Sequence, residues 1–265
     1  MKKLKNIRFI CFLLILLSLC LTVGCQDVGR GRKMITGEGT LASKVFDLGN
    51  VSSLELTDIM RVNVTSDIEV RTEVYLEYGD ENSVTIQTYE NILENLSVQQ
   101  NGEIVIISGN ERQKYKADKI AITLTLKNPE KLIFDGYYEI TSSDSFTSDE
   151  LLLRLGRGTT CDITYSGKAL SFETAPNCTV TMWGGNTESV SVASEGGCAL
   201  DFEYLSALTA DIALKDKDSC IVNACERVKV AIEGEGSLSY LGEPEIDSSL
   251  SEKASVSKAN PYQDE

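Results

Sequence analysis

The sequence predicts an all-β protein and, within that class, a single-stranded parallel β-helix, or β-solenoid, with rungs of roughly 16–23 residues. Three observations lead there. Apolar residues alternate with period two along most of the chain, as in SLEL, RVNVTS, SVTIQT, EIVIIS and AITLTL, the spacing of strands with one buried face. A strand–turn–strand kernel returns in one register around successive cysteines. The stretches between kernels change length while the kernel does not, which confines variation to one corner of a stacked unit.

The kernel is clearest with each cysteine set at position zero, where apolar residues fall at −8, −6, +2 and +4. Around Cys161 these are Leu153, Leu155, Ile163 and Tyr165, and around Cys178 they are Leu170, Phe172, Val180 and Met182. Around Cys198 they are Val190, Val192, Leu200 and Phe202, and around Cys220 they are Ile212, Leu214, Val222 and Ala224. A further copy centres on Gly236, and two partial ones on Tyr138 and Met60. The connectors are residues 166–169, 183–189, 203–211 and 225–227. An antiparallel sandwich would also alternate, but would not hold one register in every unit. Side chains two apart on a strand share a face, so Cys161, Cys178, Cys198 and Cys220 are expected to form one inward column. Cysteine suits such a column as a compact hydrophobe. Buried free thiols are expected there rather than rung-to-rung disulfides, with Cys225, in the shortest connector, the exposed thiol.

The flanks differ from this middle. The basic start MKKLKNIR, the apolar run FICFLLILLSLCLTV and the closing Gly24-Cys25 read as a signal peptide over residues 1–24, followed by a lipidated Cys25. Thr22 stands where a lipoprotein signal usually has Leu. Simple secretion, or an uncut signal anchor with Cys25 incidental, are the competing readings. Residues 25–36 read as the lipidated cysteine and a tether, 37–246 as the solenoid domain, and 247–265 as a disordered polar tail. The N-terminal half of the domain is expected to hold some irregular strands and one short helical turn in NILENL, where Ile92, Leu93 and Leu96 share a face. Pro129, Pro176 and Pro244 flank strand-like runs rather than interrupt them.

Composition narrows the chemistry. The chain has 40 Asp and Glu against 25 Lys and Arg, and no basic face of the kind nucleic acid needs. It has no histidine, which removes the commonest general base, the Ser-His and Cys-His pairs and the commonest zinc ligand. Asp135, Glu139, Asp144, Asp162 and Asp201 lie in or near kernels, but no two of them define the facing carboxyl pair of a glycosidase, and solvated carboxylates are the expected reading. The column cysteines are 17, 20 and 22 residues apart and Cys225 lies five beyond Cys220, so there is no Cys-x-x-Cys knuckle. No metal and no cofactor is therefore expected. Trp183, before Gly184 and Gly185, is a candidate ligand contact that would stack on a sugar ring; a cap over the end of the core is the expected role. The NVT, NLS, NVS and NCT sequons read as chance matches.

Three stretches carry a resemblance: GEGTLASKVFDLGNVSSLELTDIMRVNVTS, then YGDENSVTIQTYENILENLSVQQNGEIVIISG, then VKVAIEGEGSLSYLGEPEI. In their order and spacing, over roughly residues 37–246, the chain resembles the putative auto-transporter adhesin, head GIN domain family of bacterial envelope proteins. The resemblance implies a β-solenoid exposed outside the cell, and location and shape more than mechanism. The family's small Gly-rich turn survives as EGEG at residues 233–236, and elsewhere becomes GRGTTC, TAPNC, SEGGC and KDKDSC, with cysteine where the family often has glycine. The expected function is a non-catalytic, surface-tethered solenoid that presents a face to an envelope or extracellular glycan or protein. The alternatives are a polysaccharide lyase or hydrolase on a β-helix, and a purely structural or envelope-sensing lipoprotein.

Overall fold

The computed structural model describes residues 31–66 and 69–259, and over them the chain is a β-solenoid of about six turns. The segment expected to be a signal peptide, residues 1–24, and Cys25 lie outside the described residues. Four long strands, Thr160–Thr174, Thr179–Ser194, Ala199–Asp216 and Ser219–Gly234, each run through one bend and so contribute to two faces. Each pairs in parallel with the next. Their first halves extend a face that includes Thr72–Tyr78 and Tyr138–Thr147 and continues into Ser237–Leu241 and Ser255–Lys258. Their second halves extend a face that includes Lys131–Asp135 and Glu150–Leu155 and continues into Glu245–Leu250.

The core lies between the two faces, as the alternation requires. One face contributes Leu153, Phe172, Val192, Ile212 and Val230, all stacked in register and buried. The other contributes Ile140, Cys161, Val180, Leu200, Cys220 and Leu238. Phe172 and Phe202 meet edge to face at 5.4 Å across this interior.

The bend is built from small or hydroxylated residues, Ser148, Gly167, Thr187, Ala207 and Ala224. Thr187 Oγ1 lies 2.9 Å from the Lys168 carbonyl and 3.0 Å from the Ser189 carbonyl, so its one hydroxyl hydrogen is shared between two acceptors of the turning backbone. Gly167 offers no side chain, and there the Tyr165 hydroxyl serves the same purpose by contacting the carbonyls of Ser148 and Ala169, each at 2.9 Å. A Cβ at Gly167 would lie 2.0 Å from the Ser148 carbonyl oxygen, so this position requires glycine.

The register corrects the expected cysteine column. Cys161 stands against Val180, Val180 against Leu200, and Leu200 against Cys220. Cys178 and Cys198 therefore belong to a second column, two residues earlier, at the corner where one turn passes to the next. All four thiols are buried and free, and Cys225 is exposed. A shift of two residues leaves every inward side chain inward, so alternation alone cannot detect it. The corner column reads Tyr138, Thr159, Cys178, Cys198, Asp218. Thr159 Oγ1, Cys198 Sγ and Asp218 Oδ1 each accept from the backbone N–H of the corner residue one turn earlier, Tyr138, Cys178 and Cys198 respectively. Hydroxyl, thiol and carboxylate thus fill one acceptor slot.

Two boundaries also move. Lys33–Thr36, expected within the tether, pairs in parallel with Gln113–Lys116 in a small separate sheet. Glu245–Leu250 and Ser255–Lys258, the first reaching into the expected disordered tail and the second lying within it, form strands of a last turn. The polar composition of this stretch is that of a terminal rung, held by backbone ladder bonds with its apolar side chains Ile246 and Val256 only partly covered. The N-terminal half includes antiparallel pairings of Leu41–Asp47 with Ser83–Tyr89 and of Ser97–Asn101 with Ile104–Ser108. The short helix α1, Glu90–Leu93, follows and buries Ile92 against this end of the core.

Candidate functional site

The outer surface carries two features that could take a ligand. The first is an aromatic ridge on the face formed by the first halves of the long strands. Inward positions after Cys178 are Val180 and Met182, so Trp183 points outward by parity, and it is 64% exposed. The expected core cap is thereby corrected, and the offset of five from Cys178 was the signal for it. One extra residue at Trp183–Gly184 opposes Thr164 and makes a bulge, after which Gly185 stands against Tyr165. Gly185 adopts φ +109° and lies so close to Tyr165 that a Cβ would come within 1.6 Å of its carbonyl oxygen. The Trp-Gly-Gly sequence thus sets Trp183 on the crest of a sharp local turn.

The neighbouring strand adds a second ring. Thr181 pairs with Asp201 and Asn186 with Ser206, leaving four residues on each strand, so Trp183 and Gly184 lie beside Glu203 and Tyr204. On the far side the ladder passes from Phe202↔Val222 directly to Ser206↔Asn223, and residues 203–205 bulge out. This bulge reverses the parity: Leu205 is buried and Tyr204 is 58% exposed. Strict alternation places Tyr204 inward, which is why sequence reasoning missed it. Beside the two rings runs an uncharged polar column, Ser166, Asn186, Ser206 and Asn223, one residue per turn.

The second feature is a groove of about 710 Å³ across the other face. Its floor follows the outward column Ile133, Arg154, Glu173, Ala193 and Ala213. Arg154 places Nε and Nη2 on Glu173 Oε2 at 2.6 and 2.5 Å. Both side chains are close to half exposed, so the pair contributes at most about 1 kcal/mol. Glu55, Asp135 and Glu195 also line the groove, with Lys215 the remaining cation. Four carboxylates against two cations make it a poor seat for a polyanion.

The carboxylates considered for catalysis do not assemble. Asp135 lines the groove, whereas Glu139 and Asp144 are exposed elsewhere. Asp162 and Asp201 share one outward column with Thr181 between them, so their backbones are roughly 9.6 Å apart at two rung spacings. They project side by side from an open sheet, while glycosidic cleavage needs carboxyls flanking the scissile bond. Asp201 Oδ1 is also engaged, accepting the Glu203 N–H at 2.9 Å. Among the described residues no group of three or more Cys, Asp or Glu side chains is placed to hold a metal ion, and no helix is long and apolar enough to cross a membrane.

Residues 64–244 match the family described as putative auto-transporter adhesin, head GIN domain. The chain belongs to this family. Among solved structures, this GIN-domain protein is similar to a putative adhesin from Bacteroides fragilis, with a TM-score of 0.72 and 17% identity over 85% of this chain and 100% of that one. It is similar also to a putative lipid binding protein from Parabacteroides distasonis, with a TM-score of 0.61 and 18% identity over 86% of this chain and 100% of that one. A putative adhesin from Parabacteroides merdae gives 0.62 and 13% over 86% of this chain and 100% of that one. At these identities the likeness is one of fold. No curated protein matches the chain.

Proposed function

We propose that this GIN-domain protein is a non-catalytic, lipid-anchored adhesin of the bacterial surface whose aromatic ridge binds extracellular or envelope glycan. The observation that carries the reading is the pair of exposed rings, Trp183 and Tyr204, raised by bulges on adjacent turns. A sugar ring presents a C–H face that packs on an aromatic ring and a rim of hydroxyls that need partners. The column of Ser166, Asn186, Ser206 and Asn223 supplies neutral donors and acceptors beside the rings. A protein partner would call for a wider continuous apolar patch than two separated rings offer.

The protein should bind a subset of polysaccharides on a glycan array. Trp183→Ala and Tyr204→Ala should each weaken that binding at least about tenfold with little change in melting temperature, because neither side chain is buried. Wild-type affinity in both variants would remove the ridge from the account. The anchor rests on the basic, apolar, Gly24-Cys25 start. Radiolabelled palmitate should enter the protein in a bacterial host and fail to enter Cys25→Ala; equal labelling of the two would contradict lipidation at Cys25.

A further inference from the structure

We propose that Cys178 and Cys198 are a disulfide site, forming one rung-to-rung staple at the corner of the solenoid when the chain meets a disulfide oxidant outside the cytoplasm. The register singles out this pair. Cys161 lies between Ile140 and Val180, and Cys220 between Leu200 and Leu238, so neither has a cysteine on an adjacent turn. Cys178 and Cys198 immediately precede the partners Thr179 and Ala199, which puts their backbones about one rung spacing, 4.8 Å, apart, within the range that a disulfide spans.

Two flat parallel strands would hold the Cβ vectors side by side. This corner is not flat. Asn177 and Gly197, just before the cysteines, turn the chain at φ +64° and +69°. Cys198 Sγ leans back toward the earlier turn and accepts the Cys178 backbone N–H at 3.3 Å.

The surroundings divide the roles. The neighbouring Cys178 lowers the pKa of the Cys198 thiol, whose sulfur accepts the Cys178 backbone N–H and lies beside the Thr174 hydroxyl, contacts that favour a thiolate. Proximity to Cys198, with burial, pushes the Cys178 thiol up. Cys198, the sulfur that accepts a backbone N–H, is assigned as the attacking thiolate. It displaces one thiolate from a small-molecule or protein disulfide and forms a mixed disulfide. Cys178, losing its proton, then attacks the Cys198 sulfur and expels the second thiolate. Two electrons and two protons leave the pair, and the oxidant departs as two thiols. Both cysteines are at most 2% exposed in the folded chain, so exchange occurs as the corner closes during folding or opens transiently. An exported chain meets such oxidants.

The staple also bears on the groove. Cys178 Sγ donates to the Gly156 carbonyl at 3.1 Å, and Cys198 Sγ contacts Thr174 Oγ1 at 3.5 Å and the Ala175 carbonyl at 3.4 Å. Gly156, Thr174 and Ala175 line that groove, so oxidation removes thiol hydrogen bonds from its wall.

The test is a cysteine map of the full chain exported by a bacterial host, with a second sample of the folded protein incubated with oxidised glutathione. Each is alkylated under denaturing, non-reducing conditions and cut with a protease specific for glutamate, since Glu188 and Glu195 lie between the two cysteines. The expected result is a Cys178–Cys198 cross-linked peptide in the exported protein that disappears on reduction, with Cys161, Cys220 and Cys225 alkylated. Cys198→Ser should release Cys178 to the alkylating reagent, and Cys161→Ser should leave the cross-link intact. Full alkylation of Cys178 and Cys198 in both wild-type samples, or a cross-link that involves Cys161 or Cys220, would overturn the proposal.

Discussion

Replacing Leu200 by aspartate should collapse the solenoid at temperatures where the wild-type chain is folded. Leu200 is 2% exposed and stacked between Val180 and Cys220 in the middle of the inward column. The variant loses the apolar burial of a full leucine and places a carboxylate where no partner reaches it, or forces its protonation. Together these should cost on the order of 5 kcal/mol, comparable with the whole stability of many domains. Leu200→Ala, which only empties the space, should cost about 2–4 kcal/mol. Asp201→Asn, one residue on and facing out, keeps the oxygen that accepts the Glu203 N–H and should change stability by no more than about half a kcal/mol. Melting temperatures measured by circular dichroism separate the three. Equal losses for Leu200→Asp and Asp201→Asn would contradict the assigned faces.

Gly185→Ala should be the second severe change, although it adds a single methyl group. The new Cβ meets the Tyr165 carbonyl oxygen at 1.6 Å, and φ +109° is itself costly for any residue with a side chain. Relief by moving Tyr165 is blocked, because its hydroxyl is tied to the carbonyls of Ser148 and Ala169 in the bend. The strand would have to give up the bulge that raises Trp183. A loss on the order of 3 kcal/mol is expected in urea unfolding, with a shift of Trp183 fluorescence. A loss below about 1 kcal/mol would show that the bulge is not pinned by this glycine.

Much of this fold can be read from the residues because stacked strands repeat one simple constraint. Parity alone assigns Ile163, Val180, Leu200 and Val222 to the interior, and the structure buries all four. Parity cannot fix the register along a strand, since a slip of two residues preserves every inward position. That is how Cys161 and Cys220 came to be aligned with Cys178 and Cys198. The corner chemistry carries the missing information. Thr159, Cys198 and Asp218 look unrelated in sequence, yet each accepts a backbone N–H from the turn before. An alignment on small acceptors ahead of a strand, rather than on cysteine, recovers the observed columns.

The ridge was legible only in part for a related reason. Trp183 stands at an outward offset that the alternation itself supplies. Tyr204 stands at an inward offset, and only the bulge at residues 203–205, which inserts Leu205 into the core instead, turns it out. The groove was not legible at all, because its floor joins Arg154, Glu173, Ala193 and Ala213, residues about 20 apart that meet only once the turns are stacked. The polar last rung, Glu245–Leu250 with Ser255–Lys258, reads like a solvated tail because its outer surface is one and backbone pairing leaves no mark in composition.

The central claim, that the bulged ridge is a glycan-binding surface, can be tested on the only tryptophan in the chain. The measurement is the emission of Trp183 and its quenching by iodide, before and after addition of a polysaccharide found to bind on the array. The account predicts red-shifted, readily quenched emission in the free protein. It predicts a blue shift and protection from iodide as the sugar covers the ring. Emission that is blue-shifted and protected without ligand, or a bound polysaccharide that leaves both signals unchanged, would contradict it.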